Sequence, residues 1–412
     1  MQTMMLGVNR QRLLKTIEVS ASIGATENGG LNRLALTQED QQMRDRLVEW
    51  MGQAGLEVGI DDFGNIYGRR KGKLKDGPVV AVGSHLDTQP CGGRFDGILG
   101  VLSALEAIRV LNEQQLETDY PIEIINFTNE EGARFTPPML GSGGVAGVFT
   151  KEFIYNIKDN NQVSYENALQ KINYLGERKH RLKNVKNYLE LHVEQGPILE
   201  KERKTIGIVE GIQGMSWLTV TVTGETNHAG PTPMEHRRDA LVPTAKMISK
   251  LHELTKEIDG LKITVGRLDV KPNIANVIPG QVEFTIDIRH KDNDIRSNAI
   301  ESLKEQLSTI ALLNNVDVMI TVNWDSDAIE FSSEVMDAVA EACENRGYSA
   351  MRLFSGPGHD AKYISKMAPS GMIFVPSVKG ISHNENELTL EDDIEKGANV
   401  LLHVLYKLSM KK

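Results

Sequence analysis

The feature that most restricts this chain is where its hydrophobic period changes. Val79 to Val82 form a short apolar run that ends in Gly83-Ser84-His85. Leu99, Leu102, Leu105 and Ile108 then recur at helical spacing, and Ile122 to Phe127 form a second strand-like run. Strand, helix and strand in that order pair most readily as parallel strands with the helix packed over the sheet. Upstream, Met43, Leu47 and Trp50 predict a helix over residues 37–55, with Thr37 as its N-cap and Gly55 as its stop. From about residue 212 the rhythm changes. WLTVTVTG, LKITVGRLDV, QVEFTIDIRH and VDVMITVNW read as strands, and DALVPTAKMISKLHEL and DIRSNAIESLKEQLSTIALL as helices, in the order βαββαβ. After about residue 330 the larger pattern resumes with GMIFVP and a closing helix from about Thr389 to Leu408. The predicted architecture is an α/β domain with a mixed, mostly parallel sheet, built from residues 1–211 and 330–412 and interrupted by an inserted α+β ferredoxin-like domain at 212–329.

A chain of 412 residues, 40% hydrophobic and 25% charged, has material for two such cores. No apolar run approaches the roughly 20 residues needed to cross a bilayer. The opening MQTMMLGVNRQRLL lacks the basic start and apolar stretch of a secretory signal, so a cytoplasmic location is expected. The two cysteines, Cys91 and Cys343, form no CxxC pair and read as free thiols. A formal charge of -10, from 46 basic against 56 acidic residues, opposes attraction to phosphate backbones. Neither nucleic acid nor a membrane is an expected partner.

In open α/β sheets, working side chains collect beyond the carboxyl ends of strands. Here His85 and Asp87 follow VVAVGS, Glu130 and Glu131 follow IEIINFTN, His192 and Glu194 lie in YLELHVEQGP, and His383 follows MIFVPSVKGIS. One histidine so placed is ordinarily a hydrogen-bonded structural residue; several such strand ends together point to ligation. The adjacent Glu130 and Glu131 are hard to explain by packing, because buried like charges need a cation or a proton to offset them. Imidazole and carboxylate without sulfur suit hard or borderline divalent ions. In that reading His85 ligates, Asp87 fixes its tautomer, and Asp96 in GGRFDGILG bridges two ions through its two oxygens.

The motifs GSHLDTQP, GGRFDGILG, NFTNEEGARF, LELHVEQGPILE, NHAGPTPMEHRRD, PNIANVIPG, FTIDIRH, SGPGHDA and GISHNENE together closely resemble those of the M20 family of dinuclear metallopeptidases and amidohydrolases. The resemblance covers essentially the whole chain. Within the family it is greatest to the ureido-cleaving branch of N-carbamoyl-L-amino acid hydrolases, β-ureidopropionases and allantoate amidohydrolases. The resemblance implies two divalent metal ions per subunit, zinc or else manganese, cobalt or nickel. One would be held by His85, Asp96 and His192, the other by Asp96, Glu131 and His383. Glu130 would be the general base on the attacking water; the sequence alone leaves Glu130 and Glu131 interchangeable. His228 would donate to the oxyanion, Arg289 would hold the substrate carboxylate with help from Asn276, and Gln195 and Gly358 would complete the pocket. Relatives dimerise through the inserted domain, which makes it a lid and dimerisation domain and a homodimer the expected state, with His228 and Asn276 reaching the site of the partner subunit.

The reaction so implied releases an amino acid, ammonia and carbon dioxide from an N-carbamoyl-α- or β-amino acid. Allantoate amidohydrolases typically read GQRRY before the first inserted strand, where arginines meet a second polar arm. This chain reads Gly214-Met215-Ser216-Trp217-Leu218, which favours a carbamoyl amino acid over allantoate. Met215 and Trp217 read either as the lining for an apolar substrate side chain or as core residues of a strand. Two other classes stay open: a peptidase or aminoacylase of the same metal architecture, and a non-catalytic binding protein, which the presence of Glu130 and every ligand disfavours. GSGGVAG at 141–147 lacks the lysine of a P-loop and the spacing of a dinucleotide fingerprint, and reads as a turn lining the site. His180, His236, His252 and His403 read as surface or packing residues. His290 is intermediate, and His359 with Asp360 reads as support behind the ligands.

Overall fold

The computed structural model describes residues 6–411, so the first residues of MQTMMLGVNRQRLL lie outside it. The chain divides into two compact units, Met1–Glu210 with Phe331–Lys412, and Gly211–Glu330. The larger unit carries β1 (Glu57–Ile60), β2 (Ile66–Arg70), β3 (Val79–His85), β4 (Ile122–Phe127), β5 (Val185–Val193) and most of β6 (Ile206–Ile212), whose last two residues fall in the second unit. The sheet order is β1-β2-β4-β3-β5, then Ser370–Val375, then β6. The four central strands, β4, β3, β5 and Ser370–Val375, run parallel, and their neighbours pair antiparallel. The sheet is therefore mixed and parallel at its centre. β3, β4 and Ser370–Val375 are buried along their whole length, as strands covered on both faces must be.

Three helices precede the second half of that sheet: α1 (Arg10–Ala21), α2 (Gln38–Gln53) and α3 (Ile98–Glu113). Thr37 caps α2 by accepting from the Asp40 N–H, and Gly55 at φ 73 ends its turn. Leu99, Leu102, Leu105 and Ile108 of α3 have no exposed surface, each worth about 1.5–3 kcal/mol of burial, so α3 is fixed over the parallel strands. GSGGVAG is not a turn. It supplies most of a short helix, α4 (Leu140–Val145), and its glycines serve close packing: a Cβ on Gly141 would stand 2.2 Å from Asn65 Oδ1, and one on Gly144 2.7 Å from Ile154 Cδ1. Parallel register brings His85 level with Phe127 and His192 level with Phe374, so the polar strand ends meet at one edge.

The inserted unit is an antiparallel sheet of order Leu268–Lys271, Gln281–His290, Gly214–Thr223, Asp317–Ser326, with Lys262–Thr264 also paired to Gln281–His290. Helices Leu241–Glu257 and Asn293–Leu313 bury one face of it. Residues along Gln281–His290 alternate strictly between half-buried and buried, the mark of a sheet covered on one side. LKITVGRLDV, expected as one strand, is two. The ladder breaks around Gly266, where the Thr285 N–H turns to the Arg267 carbonyl at 3.1 Å, as glycine in a strand interior often permits. Among the described residues no helix is long and apolar enough to cross a membrane. Cys91 and Cys343 are free thiols.

Candidate metal centre

At the carboxyl edge of the parallel strands one carboxylate divides its two oxygens between two groups of side chains. Asp96 Oδ1 lies 3.2 Å from His192 Nε2 and 3.8 Å from His85 Nε2. Asp96 Oδ2 lies 3.4 Å from His383 Nε2, which is itself 3.3 Å from Glu131 Oε2. The donor atoms of His85, Asp96 and His192 fall within 4.8 Å of one another, as do those of Asp96, Glu131 and His383. The ring nitrogens are set for this. His85 Nδ1 lies 3.0 Å from the Asp87 carbonyl and His192 Nδ1 2.9 Å from the Val193 carbonyl. A carbonyl only accepts, so each Nδ1 carries a proton and each Nε2 is left as the atom that would ligate on the Asp96 side.

Asp87 meets His85 through its main-chain carbonyl rather than its side chain. The carboxylate turns the other way, accepting from the N–H groups of Glu130 and Glu131 at 3.2 Å each, and so orients both glutamates. Glu130 Oε2 then lies 3.5 Å from His85 Nε2. Burial, with the charges of Asp360 and Glu131, lifts the Glu130 carboxyl well above its ordinary range. Burial and Asp40 push Asp87 up to about 8. Burial would lower His192, but the hydrogen bond and charge of Asp96 push it up to about 9. Four acids and three imidazoles converge here, a charge balance that divalent cations suit. Oxygen and nitrogen donors without sulfur fit zinc, manganese, cobalt or nickel.

Further contacts surround these groups within the larger unit. Gln195 donates to Asp96 Oδ2 at 2.8 Å, while its own Oε1 is buried without a hydrogen-bond partner. Gly97 leaves room for the His85 ring, since a Cβ there would stand 2.3 Å from Nε2. A Cβ on Gly358 would meet Met139 Cε at 3.1 Å, and the Met139 N–H donates to the Glu130 carbonyl at 2.9 Å. His359 is buried with its ring 4.4 Å from that of His192, behind the ligands. Sequence reading missed Glu190. It accepts from Ser84 Oγ at 2.7 Å, Tyr188 Oη at 3.1 Å and the Ala361 N–H at 3.1 Å, a buried carboxylate whose oxygen also falls within 4.8 Å of the His192 and His359 ring nitrogens. Its signal was its place two residues before His192, on the same face of β5.

His228, Asn276 and Arg289 lie in the inserted unit. His228 is exposed on a ribbon paired with Val277–Ile278, and its Nδ1 accepts from the Gly230 N–H at 3.0 Å, which leaves the proton of a neutral ring on Nε2. The Asn276 carbonyl accepts from the Ala229 N–H at 2.9 Å, beside His228. Arg289 donates through Nε and one Nη to the two oxygens of Asp287, each at 2.8 Å, and Trp217 Nε1 donates to the same carboxylate at 2.9 Å. Met215 is the cross-strand partner of Arg289, and Trp217 that of Asp287. Met215 and Trp217 therefore share the face of Arg289, opposite the helices, and do not belong to the core. Ser216 points into the sheet's other side and donates to Asp325.

Two histidine-carboxylate triads around a shared aspartate, at the edge of a mixed α/β sheet, form a candidate metal site. Residues 81–407 match peptidase family M20/M25/M40, and the chain belongs to that family. It is 41% identical to an N-carbamoyl-L-amino-acid amidohydrolase from Rhizobium meliloti over 97% of this chain and 96% of that one. It is 34% identical to an allantoate amidohydrolase from Escherichia coli over 98% of this chain and 99% of that one. An amidase of the hydantoinase/carbamoylase family from Burkholderia multivorans superposes with a TM-score of 0.94 at 43% identity, covering 98% of this chain and 99% of that one.

Proposed function

We propose that the protein hydrolyses the ureido C–N bond of an N-carbamoyl amino acid. One water is consumed: the bond from the carbonyl carbon to the amino nitrogen breaks, releasing the amino acid and carbamate, and the carbamate's own C–N bond then breaks without further water to give ammonia and carbon dioxide. The observation that carries this reading is the division of the two Asp96 oxygens between His85 and His192 on one side and His383 on the other. In this reading two divalent ions, zinc or else manganese, cobalt or nickel, are held by His85, Asp96 and His192 and by Asp96, Glu131 and His383. When bound, they would polarise the ureido carbonyl and acidify the attacking water. Glu130, with its raised proton affinity, takes that proton and delivers it to the leaving nitrogen. His228 Nε2–H donates to the developing oxyanion. Arg289, oriented by Asp287 and Trp217, receives the substrate carboxylate, with Asn276, Gln195 and Gly358 completing the pocket.

The names of the relatives at higher identity favour a carbamoyl amino acid over allantoate. So does the uncharged pair Met215 and Trp217 beside Arg289, which offers apolar surface to a substrate side chain and no partner to a second ureido arm. The order of strands and helices in the inserted unit supports a ferredoxin-like lid. Leu312, Leu313 and Met319, 81%, 78% and 63% exposed at and near its edge strand, support dimerisation through it.

The deciding assay is ammonia release by chelator-stripped protein with zinc, manganese or cobalt restored, against N-carbamoyl-L-methionine, N-carbamoyl-β-alanine and allantoate. Metal-dependent turnover of a carbamoyl compound above allantoate is expected. Faster allantoate turnover overturns the substrate assignment. Activity confined to a dipeptide, read by amino-acid release, moves the protein to peptidase chemistry.

A further inference from the structure

Glu387 ends the GISHNENE segment and is 2% exposed, yet the chemistry above gives it no task. Its Oε1 accepts from the main-chain N–H groups of Phe95 at 3.0 Å and Asp96 at 3.1 Å. Its Oε2 accepts from Ser382 Oγ at 2.9 Å, and that hydroxyl also stands 3.1 Å from Asp96 Oδ2. One carboxylate thus joins the loop that presents Asp96 to the loop that presents His383. Gly93 keeps the space for it, since a Cβ there would stand 2.0 Å from Oε1. Phe95 and Asp96 lie just before α3, and Glu387 satisfies their buried N–H groups.

The effect falls on one triad more than the other. His85 and His192 stand on strands whose backbone is fixed by sheet pairing. His383 stands in a loop at φ 53, a region side chains rarely occupy, with its side chain 48% exposed. We propose that Glu387 is a positioning residue that sets the spacing of Asp96 and His383, and so holds the Asp96–Glu131–His383 triad ready for its ion. This rests on the two-ion reading above. Glutamine at 387 keeps an oxygen for the two N–H groups but turns an NH₂ toward Ser382, which reverses that bond and sends the hydroxyl proton to Asp96. Groups that orient metal ligands typically change metal affinity about 10- to 100-fold.

The test titrates zinc into metal-stripped, full-length wild type, Glu387→Gln, Glu387→Ala and His85→Ala, with bound metal counted by mass spectrometry and melting followed without metal. Wild type should take two ions per chain. Both Glu387 variants should keep the first and bind the second about 10- to 100-fold more weakly, while metal-free Glu387→Gln melts with wild type. His85→Ala should instead weaken the first. Unchanged affinity for both ions in Glu387→Gln overturns the proposal. So does equal weakening of both with a lower metal-free melting temperature, which is general damage to the fold. Wild type that takes fewer than two ions refutes the two-ion reading and the proposal together; wild type that takes two beside unaffected variants refutes Glu387 alone.

Discussion

Replacing Glu130 by glutamine separates catalysis from folding more cleanly than any other change in this site. The main-chain contacts that place residue 130 survive the substitution: its N–H still reaches Asp87 Oδ1 at 3.2 Å, and its carbonyl still accepts from Met139 at 2.9 Å. The amide has nearly the same shape, so it stays in register with His85. It cannot take a proton from water or return one to nitrogen. Loss of a positioned general base lowers turnover about 10²- to 10⁴-fold, or about 3–5 kcal/mol of barrier. Stability moves the other way. Glu130 sits among Asp360, Glu131, Asp87 and Asp96, and burial and these charges hold its carboxyl well above the ordinary range. A carboxyl raised on folding stabilises below its unfolded pKa and loses that contribution as pH climbs toward the folded one. At neutral pH the acid therefore carries a penalty that the neutral amide lacks. Metal-free Glu130→Gln should melt at or above wild type while kcat for N-carbamoyl-L-methionine falls and bound metal is retained. Turnover within about tenfold of wild type would remove Glu130 from the base role, and a lower metal-free melting temperature would refute the charge reasoning.

Arg289→Ala should raise KM about 10- to 100-fold with little change in kcat, as loss of a charge-assisted contact worth about 1.5–3 kcal/mol implies, checked by steady-state kinetics. Arg44→Leu should cost about 3–5 kcal/mol in urea unfolding, because it strands Asp40, buried 2.7 Å away, and releases the Gly64 carbonyl and Thr128 Oγ1. Thiol titration at pH 8 should find one reactive cysteine per native chain and two after denaturation, since burial pushes Cys343 up to about 12 while Cys91 is exposed. Timed chelation should remove metal in two phases, the faster from the triad containing the half-exposed His383 and the slower from that of the buried His85 and His192; a single phase would contradict that asymmetry.

What could be read from the sequence was what repeats along it. Helical and strand periods fixed α2, α3 and the central strands to within a few residues, and polar groups at strand ends named the residues that Asp96 gathers. Local reading failed where a distant partner overrode local preference. Glycines 141, 143 and 144 look like a turn by propensity, yet Asn65, Phe149 and Ile154 lie so close that only glycine fits, and a helix forms. Gly266 breaks a strand that periodicity would run through. Asp87 shows the limit most sharply: two residues from His85, it pairs with that neighbour by sequence, but which of its groups makes the contact depends on Glu130 and Glu131, 43 and 44 positions away. Glu387 is illegible for the same reason, since its donors Phe95 and Asp96 lie 292 and 291 positions distant, and Glu190, though two residues before His192, takes its Ser84 donor from 106 positions away. Period and residue type thus select the groups that can ligate or transfer a proton. Buried carboxylates such as Asp87 and Glu387 hold the main chain of those groups in place, and that depends on close packing between loops far apart in the chain.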